Sequence, residues 1–306
     1  MENVIIAGSG CAGLAAATYA ARAQLNPLVL DGGTPGGQII VSDEVENYPG
    51  FPEGISGMEL VQLFRKQAER FGTRFEPGAV EGVEKADGFL KINTGDKTLE
   101  TKTLIIATGA EARRLEVPGE DQFYGKGVSG CATCDGFFFR DKEVVVVGGG
   151  NTAIDDALFL TRFASKVTII HRREYLRASA VTVEKARAHE KIEWMIPYVV
   201  EEVLGEGDQV TGLKIKNRET EEVVDFPCGG VFVAIGHDPA TEAFKGLLDI
   251  DENGYIKVEA PSTKTSVEGI YACGDVCDPV YKQAVVAAGG GCMAALDAQH
   301  YLEELE

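Results

Sequence analysis

Short, wholly apolar runs alternate with glycine-rich turns along the chain, the pattern of buried parallel strands feeding helices. Val4-Ile5-Ile6-Ala7 runs into Gly8-Ser9-Gly10-Cys11-Ala12-Gly13. An Ala-rich helix is predicted from Leu14 to Ala23, followed by a strand, Leu28-Val29-Leu30, that ends in Asp31. Together these form a dinucleotide fingerprint. Gly8, Gly10 and Gly13 permit the turn and a close pyrophosphate approach, the helix N-terminus faces the phosphates, and Asp31 suits a ribose. The order recurs with Val144–Val147, Gly148-Gly149-Gly150-Asn151-Thr152-Ala153, a helix from Ala153 to about Phe163, and the strand Val167–Ile170.

Between the two fingerprints, Gly36-Gly37-Gln38 and Glu46–Pro52 are too rich in Gly and Pro for regular structure. Such a loop can supply polar contacts to a flavin ring, with Gln38 and Asn47 as candidates. Met58 to Phe71 is predicted to be a helix whose Val61, Phe64, Ala68 and Phe71 stripe enters the core. Residues 79–106 alternate in three pieces broken at Asp87-Gly88 and Gly95-Asp96, a β-meander that returns to the first sheet and turns at Gly109. Glu111 to Gly119 and His237-Asp238-Pro239 look like domain crossings, with paired strands over 209–235 between them. Gly274-Asp275 places a carboxylate at a sheet's C-terminal edge, where it can accept from a ribityl hydroxyl. The closing helix, Ala284 to Leu302, carries Gly289-Gly290-Gly291, which implies either a ligand's close approach or a crowded helix crossing. Its N-terminus is a positive end suited to a flavin's electron-rich edge.

Charge decides the second nucleotide. The strand Val167–Ile170 ends in His171-Arg172-Arg173 where an acid would suit a ribose diol. Two arginines suit a 2′-phosphate, to which guanidinium binds in charge-assisted pairs, and Arg177 follows four residues on. The net charge of −19 argues against nucleic acid and anionic membrane surfaces, and at long range it disfavours a phosphorylated cofactor. The His171–Arg177 cluster is the local exception that NADPH requires. No apolar run approaches the ~18 residues that span a bilayer, and Met1-Glu2-Asn3 enters a strand without a basic leader, so a cytoplasmic protein is expected. With 306 residues, two domains are expected.

Seven cysteines without framework spacing do not describe a disulfide-stapled fold. Cys131-Ala132-Thr133-Cys134-Asp135-Gly136 stands apart. Two thiols separated by two residues can close a small ring, and the neighbouring Asp135 can move a proton. Placed between two nucleotide loops, this segment reads as an electron relay. Cys11, Cys228, Cys273, Cys277 and Cys292 lie among Gly, Ala and Val and are expected to act as small buried apolar residues. A structural zinc site wants four N or S ligands, and no second CxxC or paired-His motif accompanies the first.

Through the two glycine loops, Glu46-Asn47, Cys131–Gly136, His171-Arg172-Arg173 with Arg177, and Gly274-Asp275, the chain resembles the low-molecular-weight thioredoxin reductases over essentially its whole length. The resemblance implies an α/β fold of two Rossmann-like, three-layer nucleotide-binding domains. Residues 1–114 and 240–306 would bind FAD, and an inserted domain, 115–239, would bind NADPH and carry the CxxC. It implies a homodimer that passes electrons from NADPH to FAD, to a Cys131–Cys134 disulfide, and on to thioredoxin or a thioredoxin-like small protein. Cys134 would face the flavin, Cys131 would attack the partner, and Asp135 would be the acid/base. Gly109 and Gln283 join the expected FAD contacts, and Gly148, Gly150, Asn151 and Thr152 those of NADPH. Cys11 departs from the Pro common in the family, and Lys282 from Arg. A flavin-dependent thiol oxidase and an NADPH-dependent reductase of another dithiol protein keep both cofactors and change only the acceptor. A dithiol that serves both a flavin and a bulky protein disulfide implies an inserted domain that turns about its two linkers.

Overall fold

A computed structural model describes residues 1–305. The chain forms two compact units, one of Met1–Glu111 with Asp238–Glu306 and one of Ala112–His237. They part a few residues before the expected boundaries at 114/115 and 239/240. Turn residues suggested those boundaries, but the crossings Ala110–Ala112 and His237–Pro239 are themselves strands, paired as a two-stranded ribbon.

The discontinuous unit is built on a seven-stranded sheet. Its order is Arg74–Glu76, Leu28–Leu30, Glu2–Ala7, Thr98–Ile106, Phe89–Asn93, Gly82–Ala86, with Ile270–Ala272 also paired to Thr98–Ile106. Ile6 lies opposite Val29 and Ile105 in parallel register, and Ile105 opposite Tyr271. Thr98–Ile106 serves two ends of the sheet. Its first residues pair antiparallel with Phe89–Asn93, closing the expected meander, and Thr101–Ile106 run parallel to Glu2–Ala7. Val4, Ile5 and Ile6 are fully buried, because side chains pack on both faces of the sheet.

The helix Cys11–Arg22 starts three residues earlier than expected, directly after Gly10. Helix Gly57–Arg70 opens with Ser56 accepting the Glu59 N–H at 3.2 Å, a hydroxyl cap on an orphan donor. Its buried stripe is narrower than expected. Leu60, Val61 and Ala68 are buried, whereas Phe64 and Phe71 are half-buried. Tyr48 meets Phe64 edge-on, and Arg22 and Arg70 lie over Phe71. Cation–π contact lets the Phe71 ring sit at the rim.

The inserted unit holds an all-parallel five-stranded sheet in the order Ile192–Met195, Lys166–Ile170, Glu143–Val147, Gly230–Val233, Val128–Ser129. A three-stranded antiparallel sheet joins Tyr198–Glu206, Gln209–Asn217 and Val223–Pro227. The strand pairing expected over 209–235 therefore stops at Pro227. Gly230–Val233 joins the parallel sheet instead, with Val231 opposite Val145. All four of its residues are buried, and a Cβ at Gly230 would stand 2.1 Å from the Phe139 ring. Helix Asn151–Leu160 follows the second glycine loop and ends before Phe163.

The closing helix, Ala284–Glu304, resolves the question of its three glycines. A Cβ at Gly291 would stand 2.0 Å from Ala12 O, at Gly290 it would make ordinary contact at 3.4 Å, and at Gly289 it would meet nothing. Only Gly291 is demanded by the crossing with Cys11–Arg22. Gly291→Ala should therefore destabilise the protein by about 1–3 kcal/mol through overpacking. Gly289→Ala, on an exposed face, should be neutral or stabilising by up to ~1 kcal/mol. Urea denaturation of the two variants checks this, and equal midpoints would contradict it.

Candidate active site

The first nucleotide loop is shaped by backbone proximity. Gly8 adopts φ +107°, and a Cβ there would stand 2.3 Å from Ala107 O; one at Gly13 would stand 1.9 Å from Gly8 O. Gly37 folds over Gly10, and Ser9 Oγ takes the Gly36 N–H and donates to Asp31 O. Gly10 offers no side-chain cap and the first turn of Cys11–Arg22 carries no acid, so its N–H groups present a positive end to a pyrophosphate. Asp31 stands where the sequence places it, but it is already engaged. Arg65 Nη1 reaches its two oxygens at 3.0 and 3.3 Å. A carboxylate has about four acceptor sites, so the pairing orients Asp31 and leaves capacity for a ribose. Arg65 carried no signal in the sequence beyond lying on a helix.

The same unit gathers the remaining predicted flavin contacts. Asn47 Nδ2 donates to Gln283 Oε1 at 3.4 Å, bringing two residues 236 positions apart together. Gln38 opens a 3-10 turn, Gln38–Val41, where irregular loop was expected. Gly109 has φ +75° with open space above it. Gly274 also has positive φ, and a Cβ there would press on Ala12 at 2.9 Å. Asp275 is half-buried and receives no hydrogen bond from any described residue. Burial first, then the nearby Asp278, push its carboxyl up to about 6, against a smaller opposing pull from Lys282. Such a group is an unused acceptor beside an uncapped, acid-free helix N-terminus at Gln283. Polyol hydroxyls, a pyrophosphate and an electron-rich ring edge all fit this donor and acceptor set, and FAD carries all three.

The thiols among these elements behave as expected only in part. Cys11, Cys228 and Cys273 are buried, whereas Cys277 and Cys292 are half-buried. Burial pushes Cys11 up to about 12, with Asp275 adding to the rise, so it is an inert thiol within the glycine loop. No group of His, Cys, Asp or Glu suited to a metal occurs among the described residues.

In the inserted unit, a Cβ at Gly148 would stand 2.3 Å from Ala234 O. Gly150 has nothing within 4 Å, and the helix Asn151–Leu160 begins without a side-chain cap or an acid in its first turn. Asn151 Oδ1 accepts the Ser179 N–H at 2.8 Å, and Thr152 is exposed. His171 is buried beneath the loop, filling the space a Gly149 Cβ would need, with Nε2 3.2 Å from Tyr175 O. Burial lowers its pKa, helped by the charges of Arg172, Arg173 and Arg177. It is a neutral support, while the three exposed arginines face solvent. None of the three pairs with a carboxylate among the described residues. In a chain with 48 acids, that leaves a free cationic patch beside an uncapped helix start, which fits a 2′-phosphorylated dinucleotide.

The dithiol hangs from the edge strand Val128–Ser129. Cys131 and Cys134 form a disulfide across a Cα separation of 5.3 Å. Cys131 caps the short helix Ala132–Asp135, its Sγ accepting the Cys134 N–H at 3.2 Å, with Thr133 Oγ1 3.4 Å away. Ser129, which sequence reasoning missed, ties the site together. Its Oγ accepts the Cys131 N–H at 3.0 Å and donates to Cys131 O at 3.3 Å, and it lies beside the Asp135 carboxyl. Burial raises the Asp135 pKa, and the neighbouring Ser129 hydroxyl partly offsets the rise. Beyond Gly136, Phe137 and Phe138 are exposed, and Phe137 meets Phe163 edge-on at 6.2 Å.

Two nucleotide loops and a disulfide define a class, and comparison with known proteins narrows it. The pyridine nucleotide-disulphide oxidoreductase family matches residues 2–291. A thioredoxin reductase of Streptomyces coelicolor is 50% identical, covering 100% of this chain and 95% of its own length. One from Rickettsia bellii is also 50% identical, over 99% of this chain and 98% of its own length. The crystal structure of thioredoxin reductase from Streptococcus pyogenes superposes with a TM-score of 0.95 at 41% identity, covering 99% of both chains. The chain belongs to the pyridine nucleotide-disulphide oxidoreductase family, within it to the low-molecular-weight thioredoxin reductases. It is an NADPH-dependent FAD flavoprotein oxidoreductase with a redox-active Cys131–Cys134 disulfide.

Asp275 gives the site a measurable pH signature. An unfolded Asp titrates near 4, and the folded one is pushed up to about 6. The folded apoprotein therefore carries a charge penalty in full above about pH 6, which fades as pH falls toward 4. Asp275→Asn should raise the melting temperature of flavin-free protein at pH 8 and lose that advantage by pH 4. It should also retain FAD less well. A stability difference independent of pH would contradict the assignment.

Proposed function

We propose that this chain reduces the disulfide of thioredoxin or a thioredoxin-like small protein, as its relatives' names state for them. The observation that carries the proposal is the hydrogen-bonded Cys131 sulfur beside a half-buried Asp135. When bound, NADPH supplies a hydride and FAD supplies the two-electron carrier between nicotinamide and disulfide. Gly8, Gly10, Gly13, Asp31 held by Arg65, Gln38, Asn47, Gly109, Gly274, Asp275 and Gln283 would hold FAD. Gly148, Gly150, Thr152, Arg172, Arg173 and Arg177 would hold NADPH, with His171 and Asn151 bracing the loops.

In the reduced site the N–H of Cys134 and the hydroxyl of Thr133 favour thiolate at Cys131, which makes Cys131 the nucleophile. Its sulfur attacks one sulfur of the partner's disulfide, forming a mixed disulfide and releasing the other as thiolate. Cys134 then attacks Cys131 Sγ, re-forms the ring and releases the second partner sulfur. Two protons end on the partner's thiols. Asp135, easier to protonate because of its burial, accepts a proton from the dithiol and yields it there, with Ser129 holding the Cys131 backbone beside it.

The exposed Phe137 and Phe138 give a protein partner an aromatic anchor beside the reactive sulfurs. Phe137→Ala should raise the KM for oxidised thioredoxin several-fold and leave reduction of a small aromatic disulfide unchanged. Oxidised thioredoxin that failed to accelerate NADPH oxidation by the native enzyme would overturn the proposed acceptor.

Homodimer formation is supported by an apolar face on the closing helix. Val285, Val286, Met293 and Leu296 are all exposed there, as is Tyr19 on the helix Cys11–Arg22 that packs against it. Met293→Asp should convert the protein to a monomer by light scattering, and an unchanged mass would remove this face from the proposal.

A further inference from the structure

Tyr175 lies in the loop after the strand Lys166–Ile170 and takes no part in the chemistry above. It is 62% exposed, an unusual place for a large aromatic ring without a task. Its phenol oxygen accepts a hydrogen bond from Arg173 Nη1 at 3.0 Å.

The backbone around that bond is fixed. Tyr175 O meets His171 Nε2 at 3.2 Å, and the N–H groups of Arg177 and Ala178 donate to Gly149 O at 2.8 and 3.2 Å. The Ser179 N–H donates to Asn151 Oδ1. The loop is therefore laced to the second glycine turn, and Tyr175 and Arg173 project from a common frame. A free Arg side chain loses up to ~2 kcal/mol of rotamer freedom on being ordered. A neighbour that holds the guanidinium beforehand removes part of that cost from binding. A carboxylate could hold it too, but would cancel the charge the phosphate needs. A phenol is neutral and occupies one of five N–H donors, leaving the charge and the remaining donors available.

We propose that Tyr175 is a specificity-determining residue, whose hydroxyl pre-orders Arg173 for the 2′-phosphate of NADPH and so widens the preference over NADH. This rests on the assignment of Arg172, Arg173 and Arg177 to that phosphate. Tyr175 acts through Arg173 and is a positioning residue.

Tyr175→Phe removes one oxygen and keeps the ring, at an exposed site where the fold does not depend on it. Binding is measured by calorimetry on FAD-loaded enzyme with 2′,5′-ADP and with 5′-AMP, which lacks the 2′-phosphate. Tyr175→Phe should weaken 2′,5′-ADP roughly three- to tenfold, the range of a single lost hydrogen bond, and leave 5′-AMP unchanged. Arg173→Ala should weaken 2′,5′-ADP further. Native affinity in Tyr175→Phe alongside a weakened Arg173→Ala would overturn the role of Tyr175 alone. Native affinity in both would overturn the phosphate assignment beneath it. Equal weakening of both ligands in Tyr175→Phe would show that the ring serves the loop, and would also overturn the proposal.

Discussion

Both units depend on the same close approach. A Cβ at Gly8 would stand 2.3 Å from Ala107 O, and a Cβ at Gly148 the same distance from Ala234 O. In each case the first glycine of the loop lets the turn after a neighbouring parallel strand press against the start of the next helix. No other residue type permits it. The consequence is an uncapped helix start at the C-terminal edge of each parallel sheet, with no acid in its first turn. Two positive helix ends in a chain of net charge −19 are places where anionic cofactor groups are favoured against the overall field.

Sheet order then places the redox group. In the inserted unit Val128–Ser129 pairs with Gly230–Val233, which pairs with Glu143–Val147, all in parallel. The chain leaves both outer members of this trio at the same edge, one into Cys131 and the other into Gly148. Ligands of open α/β sheets bind at that edge. Ser129, the last residue of its strand, converts strand position into chemistry. One hydroxyl bonds both the N–H and the carbonyl of Cys131 and lies beside Asp135, so the backbone that carries the sulfur is held by a buried group next to its proton partner.

Much of this was legible in the sequence because it is local. Glycine spacing, apolar runs and the dithiol are each written in a few consecutive residues, and they located the loops, Asp31, Asp275 and Cys131–Asp135. The rest depends on pairings across the chain that spacing does not record. Arg65 meets Asp31 from a helix 34 residues away, and Asn47 meets Gln283 across 236. The strand Gly230–Val233 looked like a continuation of the preceding hairpins, yet its burial on both faces commits it to the parallel sheet. His171 is legible as part of the basic turn, but that its ring fills the floor under Gly149 is not. Phe64 and Phe71 fell on the helical period but sit at the rim, where tyrosine and arginine side chains cover them.

The central claim is that electrons reach a protein disulfide only through the Cys131–Cys134 pair. Rapid mixing of the Cys131→Ser/Cys134→Ser double variant, FAD-loaded, with NADPH and oxidised thioredoxin tests it most directly. Flavin absorbance should bleach on adding NADPH as in the native enzyme, while no thioredoxin thiols appear. Thioredoxin reduction at the native rate by the double-serine protein would contradict the account.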